Sequence, residues 1–157
     1  EDDSRATREA YADANAKANE YPYRRVDLAD AAEAHLLAAE RAPEIGFGKY
    51  IVSATTPFER EDLADLRHHA AEVLRRRVPA YEAEYTRRGW RMFDGIDRVY
   101  VNEKARRELG WRPRYDFAQL IERLSRGEAA PSPLARAVGA KGYHAEVFAD
   151  GPFPVEP

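Results

Sequence analysis

The chain is 157 residues long, with 25 Lys+Arg against 28 Asp+Glu, for a formal net charge of -3. That length suits one domain and is too short for a complete two-lobed dinucleotide enzyme; 44% hydrophobic residues exclude wholesale disorder, and the near-cancelling charges argue against a dedicated nucleic-acid binder. With no Cys, disulfides, thiolate zinc sites and a Cys nucleophile are excluded, while the lack of a long apolar run or a visible signal peptide gives the expectation of a cytoplasmic chain. The chain opens on Glu1 and its only Met is Met92, so it is expected to start in the middle of something longer or to have been cut.

Residues 1–22 read as a polar lead-in. Its Ala, Glu and Lys content allows a helix, but no large apolar stripe pins it to a core, so a weak helix or ordered loop is expected up to Pro22. Tyr23–Val26 follows as a short extended segment. Asp27 is a good N-cap, and Asp30 falls in the first turn, where a carboxylate favours the helix. That helix should run to about Arg41 and pack through Ala31, Ala32, His35, Leu36 and Ala39, with Pro43 and Gly46 stopping it. Lys49–Ala54 reads as a strand, and its unbroken run Tyr50-Ile51-Val52 suits one covered on both faces. Thr56-Pro57-Phe58-Glu59 predicts the next helix start, with Thr56 as cap, Pro57 first in the helix and Glu59 closing a capping box. Leu63, Leu66, Ala70, Val73 and Leu74 then recur at helical spacing until Pro79. A shorter helix, Tyr81–Arg88, ends at Gly89. Arg98–Val101 is a second short strand candidate, and Glu103–Leu109 a helix ended by Gly110. Asp116 caps the last clear helix, with Phe117, Leu120, Ile121 and Leu124 on one face. Residues 127–157, rich in Pro and Gly, are expected to be irregular with one short helix near Leu134.

Several patterns that carry chemistry elsewhere fail on context. Gly46-Phe47-Gly48 begins like a dinucleotide fingerprint, but Ile51 stands where the third glycine belongs, and the motif follows a helix instead of opening one. Tyr100 and Lys104 match Tyr-x-x-x-Lys, yet that acid/base pair needs both residues on one helix, and here they fall in successive elements. His68 and His69 point about 100° apart on a helix and cannot share a metal. His35 and His144 are isolated, so no metal site is expected. The basic stretch from Arg98 to Arg114, with Arg91 upstream beside Trp90 and Phe93, is the more suggestive feature, because arginine among aromatics suits a phosphate and a stacked base. Within it, Arg106 and Arg107 read as a solvated helix face.

Two segments carry a resemblance. Val26–His35, with its Asp…Ala-His pattern, and Lys104-Ala105-Arg106-Arg107-Glu108-Leu109-Gly110-Trp111-Arg112-Pro113 resemble the extended short-chain dehydrogenase/reductases, the NAD-dependent epimerase/dehydratase family, over residues 23–126. Tyr50–Ala54 falls where that family has a strand. The resemblance implies an α/β fold, the C-terminal substrate-binding portion of a Rossmann-type enzyme, mostly helical with a few short strands and with the cofactor lobe missing. It implies NAD or NADP for the complete enzyme, held and acted on by upstream motifs, so that neither catalytic nor cofactor-binding residues are expected in this chain. Implied partners are a small-molecule substrate such as a nucleotide-diphosphate sugar, and an upstream cofactor-binding half or a second copy of the chain; neither nucleic acid nor membrane is expected. The family's Arg-x-x-Asp substrate pair is best matched by Arg91 and Asp94, and its second substrate arginine by Arg24, one position out of register. Asp27 stands where the family usually has His, and Phe93 where it has Gly. A reading of another class stays open: a free-standing, non-catalytic binding or interaction module.

Overall fold

The computed structural model describes residues 10–139. Its regular elements are α1 (Asp13–Glu20), α2 (Leu28–Ile45), a 3-10 turn (Arg60–Asp62), α3 (Leu63–Arg77), α4 (Tyr81–Arg88), α5 (Glu103–Leu109), α6 (Phe117–Ser125) and α7 (Pro133–Val138). The expected α/β class is thereby corrected: among the described residues every element is helical and no sheet forms. The physical reason is pairing, because a strand exists only in a ladder. Lys49–Ala54 and Arg98–Val101 are both non-helical. Each is joined to the rest of the chain by one backbone bond, from Ala54 N–H to the Arg25 carbonyl and from Tyr100 N–H to the Tyr23 carbonyl, both 2.7 Å. Apolar character predicted the segments but could not supply their neighbours.

Helix ends follow local chemistry. Asp27 caps α2 by accepting the Ala29 N–H at 2.8 Å. The helix then runs through Pro43, which in a last turn forfeits only one hydrogen bond, and stops at Gly46, φ 72°. The α3 start also differs from expectation. Thr56 accepts the Phe58 N–H in a turn, and the capping box is made three residues later by Glu59 and Asp62. Asp62 is claimed there by Arg77, whose Nε lies 2.7 Å from its carboxylate. The helices α4, α5 and α6 form where the sequence places them, with Gly89 and Gly110 as left-handed caps and the Asp116 carboxylate on the Gln119 N–H.

Two buried clusters result. The larger joins Leu66, Val73 and Leu74 of α3, Tyr81 and Tyr85 of α4, and Phe117, Leu120, Ile121 and Leu124 of α6. The smaller holds Ala34, Ala105, Leu109 and Trp111, flanked by Leu37, Ala38, Tyr50 and Val52. The buried stripe of α2 is therefore Asp30, Ala34, Leu37 and Ala38, not the expected Ala31/His35/Leu36 face, and Leu36 is 66% exposed. Asp30 sets this rotation. Its fully buried carboxylate accepts the N–H groups of Arg114 (3.0 Å) and Tyr115 (2.8 Å), while its carbonyl accepts the Trp111 indole N–H at 3.0 Å. The Asp27 carboxylate reaches across to the Ser132 N–H at 2.9 Å. The two segments that carried the family resemblance are thus latched to each other.

Candidate functional site

Arg91 leaves the Trp90 turn with its backbone gripped from α1. The Asn15 side-chain amide donates to the Arg91 carbonyl (3.0 Å) and accepts the Arg91 N–H (3.2 Å). Asn19 donates to the same carbonyl at 2.9 Å, and its own oxygen accepts from Asn15 and from the Tyr85 hydroxyl. The guanidinium of Arg91 lies over the Tyr11 ring, 4.2 Å from its centroid, and touches the Ala10 carbonyl at 3.4 Å. The Tyr11 ring in turn meets Phe93 edge-on at 5.0 Å, and Phe93 meets Tyr23 at 6.5 Å. Tyr11, Phe93 and Tyr23 therefore form an aromatic row, with Arg91 at one end and Arg24 over Tyr23 at the other, 5.3 Å from that centroid.

Asp94 is placed by α3. That helix is broken at His69 (φ -136°, ψ 38°), and the break lets Ala70 donate its N–H to the Asp94 carbonyl while Ile96 donates to the Leu66 carbonyl at 2.8 Å. Gly95 lies so near that a Cβ there would sit 2.2 Å from the Arg67 carbonyl oxygen. Burial pushes the Tyr11 phenol above its ordinary value, with Arg91 opposing and Asp94 adding. Burial does the same at Tyr23, against Arg24 and Arg98.

Arg91 and Asp94 thus both bear on the Tyr11 phenol, in opposite senses. Arg24 joins through the aromatic row, but its charge is engaged: Glu20 pairs with both Arg24 and Arg25. Among the described residues no carboxylate stands within ion-pair distance of Arg91, whose side chain is exposed. Tyr11, Asn15 and Asn19 were missed by the sequence reading. Their one signal was two asparagines a helical turn apart in a segment otherwise short of anchors.

Other singled-out residues serve the fold. Lys104 sits over the Tyr50 ring at 4.9 Å and donates to the Lys49 carbonyl, while Tyr100 lies ahead of α5. Arg106 departs from the expected solvated face. It is half-buried and donates to the Asn102 side-chain oxygen at 3.0 Å, while the Asn102 amide donates to the Ser53 carbonyl at 2.8 Å. His35 donates from Nδ1 to the Ala31 carbonyl, His68 and His69 are exposed, and His144 lies outside the described residues. Among the described residues no group of three His, Asp or Glu is arranged to hold a metal, and no helix is long and apolar enough to cross a membrane. Gly46-Phe47-Gly48 leads from α2 into a non-helical segment, so it offers no helix N-terminus to a dinucleotide pyrophosphate.

A separate concavity of about 350 Å³ lies on the other side of α1, lined by Ala18, Tyr21, Trp90, Leu120, Leu124 and Pro131. Its charged rim is already paired, Lys17 with Asp13 and Arg88 with Glu84. Polar side chains gather instead behind Arg91, where Asn15 and Asn19 meet its backbone. No protein-family model matches the chain, and neither a curated protein nor a solved structure is similar to it at a significant level.

Proposed function

We propose that the chain is the C-terminal, substrate-binding part of an NAD(P)-dependent sugar-nucleotide epimerase/dehydratase-like oxidoreductase, cytoplasmic and not catalytic on its own. The observation that carries the reading is Arg91, exposed and set over Tyr11 at the end of an aromatic row. A guanidinium held this way suits a phosphate, and the ring faces suit a base. In the complete enzyme an upstream half would hold NAD or NADP, which would supply hydride-transfer chemistry toward the sugar. None of that is routed through residues of this chain, whose glycines do not fit the cofactor. Support for an upstream half as partner comes from apolar groups left uncovered: Leu36 on α2, Ile51 at 46% and Val101 at 52% exposure.

Two measurements test this. Calorimetric titration of the chain with NAD or NADP should show no binding, and micromolar affinity would sink the reading. In a protein joined to an upstream nucleotide-binding half, Arg91→Ala should raise KM for a nucleotide sugar by the equivalent of about 1.5–3 kcal/mol, the range for a hydrogen bond to a charged group.

A second reading, a free-standing binding module, is favoured by the completeness of the core: Leu66, Leu74, Trp111 and Phe117 are all fully enclosed. Dye binding and self-association separate the two. The enzyme-part reading expects both, and expects co-expression with an upstream half to suppress them. A monodisperse, cooperatively melting monomer that leaves the dye dark supports the module.

A further inference from the structure

We propose that residues 11–19 form the positioning element for Arg91, with Asn15 and Asn19 fixing its backbone and Tyr11 holding its guanidinium so that the in-plane N–H fork faces a phosphate or phosphoanhydride group. The inference rests on the reading of Arg91 as a phosphate-holding residue and adds which side chains make it one.

The argument is geometric. Asn15 meets both backbone groups of Arg91, as a neighbouring strand would, and Asn19 adds a second donor to the carbonyl. Both asparagines are buried, and neither is spare: Asn15 and Asn19 bond each other, and Tyr85 closes the network from α4 at 2.9 Å. A burial of this much polarity is costly unless every group is satisfied, and here the satisfied network ends on one backbone position, seventy-six residues along the chain from Asn15. Four residues before Asn15, just ahead of α1, the Tyr11 ring lies under the guanidinium at 4.2 Å, and the single contact to the Ala10 carbonyl occupies one of its nitrogens. Stacking leaves the fork in the plane available for bidentate contact with a phosphate. Holding a rotamer-rich side chain in place beforehand removes part of the ordering cost of binding.

The test uses the full chain labelled with 15N-arginine and titrated with sodium pyrophosphate, following the Arg91 Nε–H signal, assigned with Arg91→Lys. The wild type should give a saturable shift and a restricted Nε–H. Tyr11→Leu and Asn15→Ala should each weaken binding by about tenfold, the scale of one lost hydrogen-bond contribution, and should mobilise the Nε–H. Tyr11→Phe, which keeps the ring face, should bind like the wild type. If the wild type shows no saturable shift, or Arg91→Ala binds as well, the phosphate reading fails and this inference with it. If Arg91→Ala loses binding while Tyr11→Leu keeps it, only the positioning role is overturned. A Tyr11→Phe variant as weak as Tyr11→Leu overturns the stacking argument. Should Asn15→Ala fail to fold, Tyr11→Leu decides alone, since the Tyr11 ring is only partly buried.

Discussion

The larger and smaller buried clusters are closed by different means. Around Leu66, Leu74 and Phe117, three helices bury apolar stripes against one another, with Tyr81, Tyr85 and Phe117 meeting edge-on or tilted at 5.0 to 6.3 Å. The smaller cluster has few apolar side chains, and its Trp111 is held by a hydrogen bond to the Asp30 carbonyl as well as by packing. Its outer side is where Leu36 and Ile51 remain open. One region is finished by its own sequence. The other is fastened by polar latches and leaves apolar side chains open to solvent.

The largest expected effect is in the finished region. Phe117→Ala should cost about 3–5 kcal/mol, the range for truncating a buried aromatic, read as a shift of the urea midpoint. Asp30→Asn attacks the latch instead. An amide keeps one accepting oxygen and sets a buried NH2 where the other oxygen faced the Arg114 N–H, so the cost is about 1–3 kcal/mol for a buried donor without a partner. Amide exchange at Arg114 and Tyr115 should accelerate, with Leu74 unaffected; uniform acceleration would mean that the regions do not separate.

Two buried carboxylates sharpen the comparison through pH. Hydrogen bonds from Arg87, and then Arg88, hold Glu84 below its usual range. Its stabilisation is therefore complete above the ordinary carboxylate pKa and is lost as pH falls through the lowered value. Burial raises Asp30, against the N–H groups of Arg114 and Tyr115, so protonation relieves a cost there and the sign is opposite. Acid melts below about pH 4, near the unperturbed glutamate value, should flatten in Glu84→Gln; an unchanged acid limb would show that this pair contributes nothing. The smallest effect on stability belongs to the open side. Leu36→Lys and Ile51→Lys should each stay within about 0.5 kcal/mol of wild type, as surface changes do, while reducing self-association in light scattering. A loss of several kcal/mol would place those side chains in a core.

How much of this was legible in the sequence follows from the range of each interaction. Asp116, Gly89 and Gly110 act within a few residues, and the helices they bound were predictable. Tyr50-Ile51-Val52 announced apolar burial, but a strand depends on a partner that no local pattern encodes. The face of α2 was misread for a similar reason: Asp30 is turned inward by amides eighty-four and eighty-five residues away. Arg91 and Asp94 were singled out through resemblance, whereas the Asn15 and Asn19 grip joins a polar helix to a distant loop and left only its spacing as a trace.

The tight junction between α3 and Gly95 has a consequence for anyone mapping this protein genetically. No side chain can be admitted at position 95 without pushing the backbone of α3, and the displacement would fall first on its neighbour Asp94. Under the proposed role of Asp94, a screen that scores loss of ligand binding would therefore rank Gly95 alongside it, although glycine offers a ligand no functional group. His68 and His69, exposed on the same stretch of helix, would drift almost freely. The intolerant positions on such a map would outline the scaffold behind the site as sharply as the site, and only a binding assay on folded protein would tell the two apart.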